Sequence, residues 1–385
     1  SGLDCSGPSQ TFTITINPTP SVNDPSDLVV CSSSSTSPVN FSGTGTSYSW
    51  TNDTPGIGLA ASGTGNIASF TATNPGVVPL VATITVNPDF TGGNASCSGV
   101  GQTFTITVNP IPLVNDLPNQ TVCNGTSLSA LLFTGTGTGY TWTNSTPSIG
   151  LAANGTGNIP SFTGSNGGVS PLTGVVTVTP QYSNAGLTCS GSVQTIDLTV
   201  NPTPTLTDPQ DIVVCNGSAT SAVTFSGTGT SYSWTNSNPG IGLSATGTGN
   251  IASFTGVNNS TSPVTATITV VPEYNFNGVN CTGPSQSFTI TVNPTPTVTD
   301  PADQVICNGS STQAVLFTGT GTSYSWSNST PGIGLAATGT GNIASFTAIN
   351  GGSTPLIGTI TVTPQYANAG LTCNGNQQLF QITVN

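Results

Sequence analysis

The sequence predicts an all-β chain, a tandem array of four seven-stranded antiparallel β-sandwiches. The first observation behind this is a fixed period. The stretch YSWTNDTPGIGLAASGTGNIASF from Tyr48 to Phe70 returns three times, and its tryptophans, Trp50, Trp142, Trp234 and Trp326, stand 92 residues apart. A unit of that size is one small domain and is too long for a solenoid turn. The second observation is the alternation of apolar residues with Thr or Ser over short runs, the period of a half-buried strand. The third is a Gly, Asn or Pro turn signal roughly every 8–12 residues, with no 3.6-residue periodicity, which is the pattern of an antiparallel sandwich.

Residues 1–16 match 93–108, 185–200, 277–292 and 369–384 and read as the closing strand of a preceding repeat. In them Phe12, Ile14 and Ile16 alternate with Thr, as in a half-buried strand. The motif NPTP at 17–20 returns as NPIP at 109 and as NPTP at 201 and 293. Two prolines in four residues fix φ, remove donors and keep the preceding residues extended, which suits a short, stiff joint. Boundaries at these joints give repeats 17–108, 109–200, 201–292 and 293–385. Within the first repeat the expected strands are A near 22–31, B at 39–42, C at 48–51, D near 57–61, E near 67–71, F at 78–86 and G at 103–108. Gly and Asn cluster between them because tight turns need residues that tolerate positive φ. Trp50, Trp142, Trp234 and Trp326, one on each strand C, are the expected core anchors.

Composition excludes several functions. The chain has no Lys, Arg, His or Met, and its twelve acidic residues give a net charge of −12. Charged residues make up 3%, against about a quarter of an ordinary globular chain. Phosphate recognition needs Lys and Arg, so nucleic acid is excluded as a partner, and attraction to anionic lipid fails for the same reason. No apolar run approaches the roughly 18 residues of a membrane span, so membrane insertion is not expected. The sequence begins inside a repeat and reads as a mature or excised segment in which a leader would not be visible. Without His or Lys, Ser has no imidazole partner and the only general bases are Asp and one Glu, so no catalytic residue is assigned and the chain is read as no enzyme.

The string TFTITVNPTP, a Cys-Asn-Gly turn, Tyr-x-Trp, IGLAA-x-GTGNI-x-SF and then TITV-x-P resembles the PKD-like, immunoglobulin-like repeats of large surface adhesins in gliding, type IX-secreting bacteria. The resemblance spans all four repeats and implies an Ig/PKD-like sandwich in an extracellular or cell-surface, secreted spacer or adhesin stalk. One departure is the YSWTND at 48–53, where the founding PKD repeats carry an acidic W-D-F-G-D-G turn.

Nine evenly recurring cysteines without histidines point to disulfides in an oxidising compartment. Three registers are open. The first, within each repeat, pairs Cys31 with Cys97, Cys123 with Cys189, Cys215 with Cys281 and Cys307 with Cys373, and it is the expectation adopted. Strand parity objects, because A and G running the same way place Cys31 and Cys97 at opposite ends, roughly 30 Å apart, where a disulfide needs Cα atoms within about 7 Å. The second register bolts neighbours together as Cys31–Cys189, Cys123–Cys281 and Cys215–Cys373. The third pairs Cys5 with Cys31 and turns the NPTP joint into a hairpin.

The carboxylates close in sequence, Asp24 with Asp27, Asp208 with Asp211 and Asp300 with Asp303, lie at the joints, where Ca2+ is conceivable. Asn119 in repeat 2 takes the place of the second Asp, so turn caps beside Pro are favoured and no cofactor or metal is assigned. The function these features favour is a rigid, extended, non-enzymatic shaft of a secreted surface fibre or adhesin, about 160 Å long if the joints are straight. Its partners are neighbouring repeats and, because a nearly uncharged surface lacks repulsion, identical chains in a filament. The alternative is a carbohydrate-binding module using Phe90, Tyr182, Tyr274 and Tyr366 toward surface glycans.

Overall fold

In a computed structural model that describes residues 1–385, the chain is all β apart from four single turns of 3-10 helix. Repeat 1 shows the plan. Its strands are β1 (Leu28–Cys31), β2 (Ser47–Asn52), β3 (Ser62–Thr64), β4 (Leu80–Gly92), β5 (Ala95–Ser98) and β6 (Gln102–Asn109). They form one sheet in the order β1-β6-β4-β2-β3, with β5 folded back on β4. All pairings are antiparallel except β1 on β6, which is parallel. The facing layer is thinner and held by single bridges, Val22 to Gly43, Ser35 to Thr71 and Val39 to Ile67. Two antiparallel layers with a parallel first-to-last pair make an immunoglobulin-like sandwich. The other three repeats carry the same six-stranded sheet.

The alternation seen in the sequence becomes the core. Ala82, Ile84 and Val86 on β4 and Phe104, Ile106 and Val108 on β6 are buried, while the Thr residues between them face outward. Trp50 is 7% exposed and its indole lies on the backbone of Gly63, where an added Cβ would collide with the ring. Trp142, Trp234 and Trp326 repeat that packing on Gly155, Gly247 and Gly339. The Asn of each GTGN turn ties together two segments of the facing layer: Asn66 Oδ1 accepts the Phe41 N–H at 2.9 Å, and Asn158, Asn250 and Asn342 do the same for Phe133, Phe225 and Phe317.

Four expected elements are corrected. The segment 57–61 is no strand; Pro55–Ile57 is a 3-10 turn closed by Gly58 at φ 95°, with Ile57 fully buried, and the strand begins only at Ser62. Proline at the start and a left-handed glycine at the end suit a single turn. Strand E at 67–71 is reduced to the bridges of Ile67 and Thr71. Strand F does not stop at Val86 but runs to Gly92. Pro88 is tolerated inside it because β6 pairs with β4 as far as Val86 and β5 takes over at Asp89, so no N–H is needed at the changeover. Residues 1–16, expected as a strand, have no strand partner, and Phe12, Ile14 and Ile16 are exposed.

The chain divides into two compact units, residues 1–166 with 172–200, and residues 167–171 with 201–385. Each unit is described by itself below.

Candidate functional site

The residues that a purely structural reading would make functional gather where one repeat meets the next. In the first unit, parallel pairing sets Cys31 opposite Asn109, at the end of β6 and the start of the NPIP joint. From the following repeat, the hairpin of Leu172–Asn184 with Leu187–Ser190 reaches this end and presents Cys189. Cys31 and Cys189 form a disulfide with their Cα atoms 5.6 Å apart. In the second unit Cys215 and Cys373 repeat it, again at 5.6 Å and again 158 residues apart.

This overturns the within-repeat register. Cys97 and Cys307 are free thiols, Cys189 is taken by Cys31 and Cys373 by Cys215, so none of the four expected within-repeat bonds forms. Cys123 and Cys281 are disulfide-bonded as well. The reason is distance. Leu80 on β4 stands opposite Val108, near Cys31, whereas Phe90 stands opposite Cys97. Leu80 and Phe90 are ten residue steps apart along the strand, roughly 33 Å at the rise of a β-strand, far beyond the reach of a disulfide. The hairpin register with Cys5 fails too, because Cys5 is free and exposed.

Around the sulfurs the junction is polar and well satisfied. Asn109 is fully buried; its Nδ2 donates to the Asn184 carbonyl at 3.3 Å and its Oδ1 accepts from Asn184 Nδ2 at 2.9 Å. Asn293 and Asn368 repeat the exchange in the second unit. The Cys-x-Gly motif packs against the joint of its own repeat, and a Cβ on Gly99 would fall on the carbonyl oxygen of Pro20. A Cβ on Gly191 would fall on the carbonyl oxygen of Pro112, and one on Gly375 on that of Pro296. Gly7, the same position in the unpaired leading segment, has open space around it. The recurring aromatics stand directly opposite the hairpin cysteines: Phe90 to Cys97, Tyr182 to Cys189, Tyr274 to Cys281 and Tyr366 to Cys373. All four are half-buried.

One junction residue lacks its partner. Asn201 is fully buried and donates to the carbonyls of Phe276 and Val279, but its Oδ1 accepts nothing. Phe276 occupies the place held by Asn184 and Asn368 in their hairpins, and a phenyl ring has no proton to give. An unsatisfied buried acceptor costs about 1–3 kcal/mol. Phe276→Asn is therefore expected to stabilise the second unit by about 1 kcal/mol in thermal unfolding; no gain would mean that the ring contributes packing of equal value.

The second carboxylate of each joint pair accepts a backbone N–H beside the first strand. Asp27 Oδ1 accepts the Thr105 N–H of β6 at 2.6 Å, and Asp211 and Asp303 do the same for Thr289 and Gln381. Asn119 fills the position equally well, accepting from the Asp197 N–H at 2.9 Å. The site thus asks for an acceptor oxygen and not for a charge. The backbone N–H donors hold the Asp27 and Asp211 carboxyls below the usual aspartate value. Asp53, in the turn that departs from the PKD pattern, is lowered in the same way by the Thr83 N–H, and Ser145, Ser237 and Ser329 serve in its place elsewhere. A depressed carboxyl favours the fold above its unfolded pKa and loses that contribution as pH falls through the folded value. Stability is expected to be flat from pH 7 to about 5 and to fall below about pH 4. Asp27→Asn with Asp211→Asn should remove that contribution, so that stability falls slightly at neutral pH and part of the acid limb flattens in pH-dependent urea unfolding.

No protein-family model and no curated protein matches the chain. Among solved structures it is similar to the human desmocollin-1 ectodomain at 10% identity, over 88% of this chain and 74% of that one, with a TM-score of 0.30. It is also similar to the protocadherin GammaB4 extracellular domain at 13%, over 95% and 67%, with a TM-score of 0.33. Immunoglobulin domains 1–5 of Sidekick-1 align at 11% identity, over 95% and 81%, with a TM-score of 0.28. The sandwich described here stands on its own strand pairing.

Proposed function

We propose that the chain is a non-enzymatic structural segment of a secreted, cell-surface fibre or adhesin, of the kind implied by its resemblance to PKD-like repeats of type IX-secreting bacteria. The observation that carries this reading is the junction itself. A flexible tether between binding modules needs no crosslink, whereas here Cys31–Cys189 and Cys215–Cys373 fix the end of one sandwich to the hairpin of the next. Disulfides also belong to an oxidising, extracellular setting. The four recurring aromatics opposite the hairpin cysteines are half-buried, and no specific observation favours the carbohydrate reading.

Stretching single chains tests the function. Each disulfide closes a path of 158 residues, so tension passes across the bond and the enclosed sandwiches cannot lengthen. Reduction should release about 540 Å of extra contour per loop, at the reach of an extended chain. Equal extension before and after reduction would sink the shaft reading.

A further inference from the structure

One side of the sandwich in repeats 1 and 3 carries an open backbone position. In repeat 1 the segment that starts at Val22 pairs with the facing layer as far as Asn23, whose N–H donates to the Ser42 carbonyl at 2.8 Å. It then leaves that layer through Asp24 and Pro25 and joins the main sheet as β1, an edge strand paired only with β6. Segment 37–40, which it leaves behind, keeps Val39 paired with Ile67 at 2.9 and 3.0 Å. The N–H and C=O of Ser37 bond nothing in the chain. A groove of about 250 Å3 lies between the two segments, walled by Pro25, Asp27, Leu28, Pro38 and Val39. Repeat 3 has the same groove, about 340 Å3, between 208–212 and 221–224, and there the N–H and C=O of Ser221 are unpaired.

Repeat 4 shows what chemistry fits. Gln304 stands where Leu28 and Ile212 stand in repeats 1 and 3, and Gln313 is the counterpart of Ser37 and Ser221. The Gln304 carboxamide spans the gap: Nε2 donates to the Gln313 carbonyl at 3.1 Å, and Oε1 accepts the Gln313 N–H at 3.0 Å. These are the two bonds that a residue exchanges with its opposite number on an antiparallel strand. In repeat 2 the corresponding Gln120 donates instead to the Pro118 carbonyl at 3.3 Å.

We propose that the grooves of repeats 1 and 3 are docking sites for an extended, basic segment of another protein, which adds a short strand beside Ser37 or Ser221. The backbone of such a segment supplies the donor and acceptor that Gln304 supplies in repeat 4. Half-buried Leu28 and Val39, or Ile212 and Val223, meet the apolar residues on one side of the incoming strand, since alternate residues share a face. Asp27 in one groove, and Asp208 and Asp211 in the other, are lining carboxylates, and the chain has no Lys or Arg to neutralise them. A second copy of this chain therefore cannot complement that charge, whereas a segment bearing Lys or Arg can. Loss of this docking would leave the Cys31–Cys189 and Cys215–Cys373 junctions, and the shaft reading that rests on them, untouched.

The test titrates the full, oxidised chain with a fluorescent seven-residue peptide of alternating valine and lysine, and follows anisotropy and amide hydrogen exchange. Binding should slow exchange at Ser37 and Ser221, and an alternating valine–glutamate peptide should not bind. Leu28→Gln with Ile212→Gln installs the arrangement of Gln304 and should weaken binding about tenfold or more. Gln304→Leu frees the backbone of Gln313 and should add one binding site per chain. Absence of binding to the native chain, equal affinity of the double variant, equal binding of the glutamate peptide or unchanged exchange at Ser37 and Ser221 would each overturn the proposal. If the double variant loses its native circular dichroism, Gln304→Leu decides: an added site supports the docking mode, and an unchanged number of sites overturns it.

Discussion

Serine at Cys31 or Cys189 is expected to lower the unfolding free energy of the first unit by about 5 kcal/mol, the chain-entropy value for a loop of 158 residues. The effect is large because the crosslink removes freedom from a long stretch of unfolded chain. The sandwiches themselves should survive, since the two repeats of this unit have separate hydrophobic clusters, one around Ile84 and Phe104 and the other around Val176 and Leu198. Urea unfolding of the Cys31→Ser variant should therefore show a lower midpoint with native far-ultraviolet circular dichroism below the transition. A midpoint equal to that of the oxidised parent would mean that strain in the junction cancels the entropic gain. Reduction of the parent should reproduce the variant's shift, and a reductant should leave the variant itself less affected.

Trp142→Ala should cost about 3–5 kcal/mol, the usual range for emptying a core position of that size. Trp142 is 5% exposed and lies on Gly155, so the cavity would be walled by backbone that cannot collapse into it. Trp142→Phe should cost much less, under about 2 kcal/mol, because the indole N–H is buried without a hydrogen-bond partner and its removal relieves a penalty. The same orphan N–H recurs at Trp50, Trp234 and Trp326, so the contrast should hold in every repeat. Gly155→Ala approaches the contact from the other side and should destabilise by about 1–3 kcal/mol through overpacking. If Phe were as damaging as Ala in denaturant unfolding, the indole would be making a polar contact that this packing does not provide.

Much of this architecture was legible before any coordinates. Period 2 in FTITV runs becomes buried Phe104, Ile106 and Val108 because a strand's side chains alternate between core and solvent. The tryptophans became core residues for the same reason, each flanked by outward-facing Ser or Thr. The joint prolines and the GTGN turns carry their own backbone chemistry. Strand ends were less legible. Strand F, expected to end at Val86, runs on through Pro88 to Gly92, which the exchange of partner from β6 to β5 explains. The segment expected as strand D, 57–61, instead follows a 3-10 turn at Pro55–Ile57 around which Ile57 and Leu59 are buried.

The sequence by itself determined the repeat, the sandwich and the set of cysteines able to meet. It could not choose among registers, because in an array of constant period every pairing recurs as evenly as every other. Parity of the strands pointed away from the within-repeat bond, but its force depended on how far the hairpin reaches. Tertiary structure decided that. Thirteen residues from Leu80 to Gly92, and their counterparts from Leu172 to Asn184, make a strand long enough to leave its own core. In the first unit this carries Cys189 to the cysteine of the sandwich before it. The same step fixed the roles of Asn109 and Asn184, residues far apart in sequence whose exchange of hydrogen bonds forms where the hairpin of one repeat meets the end of β6.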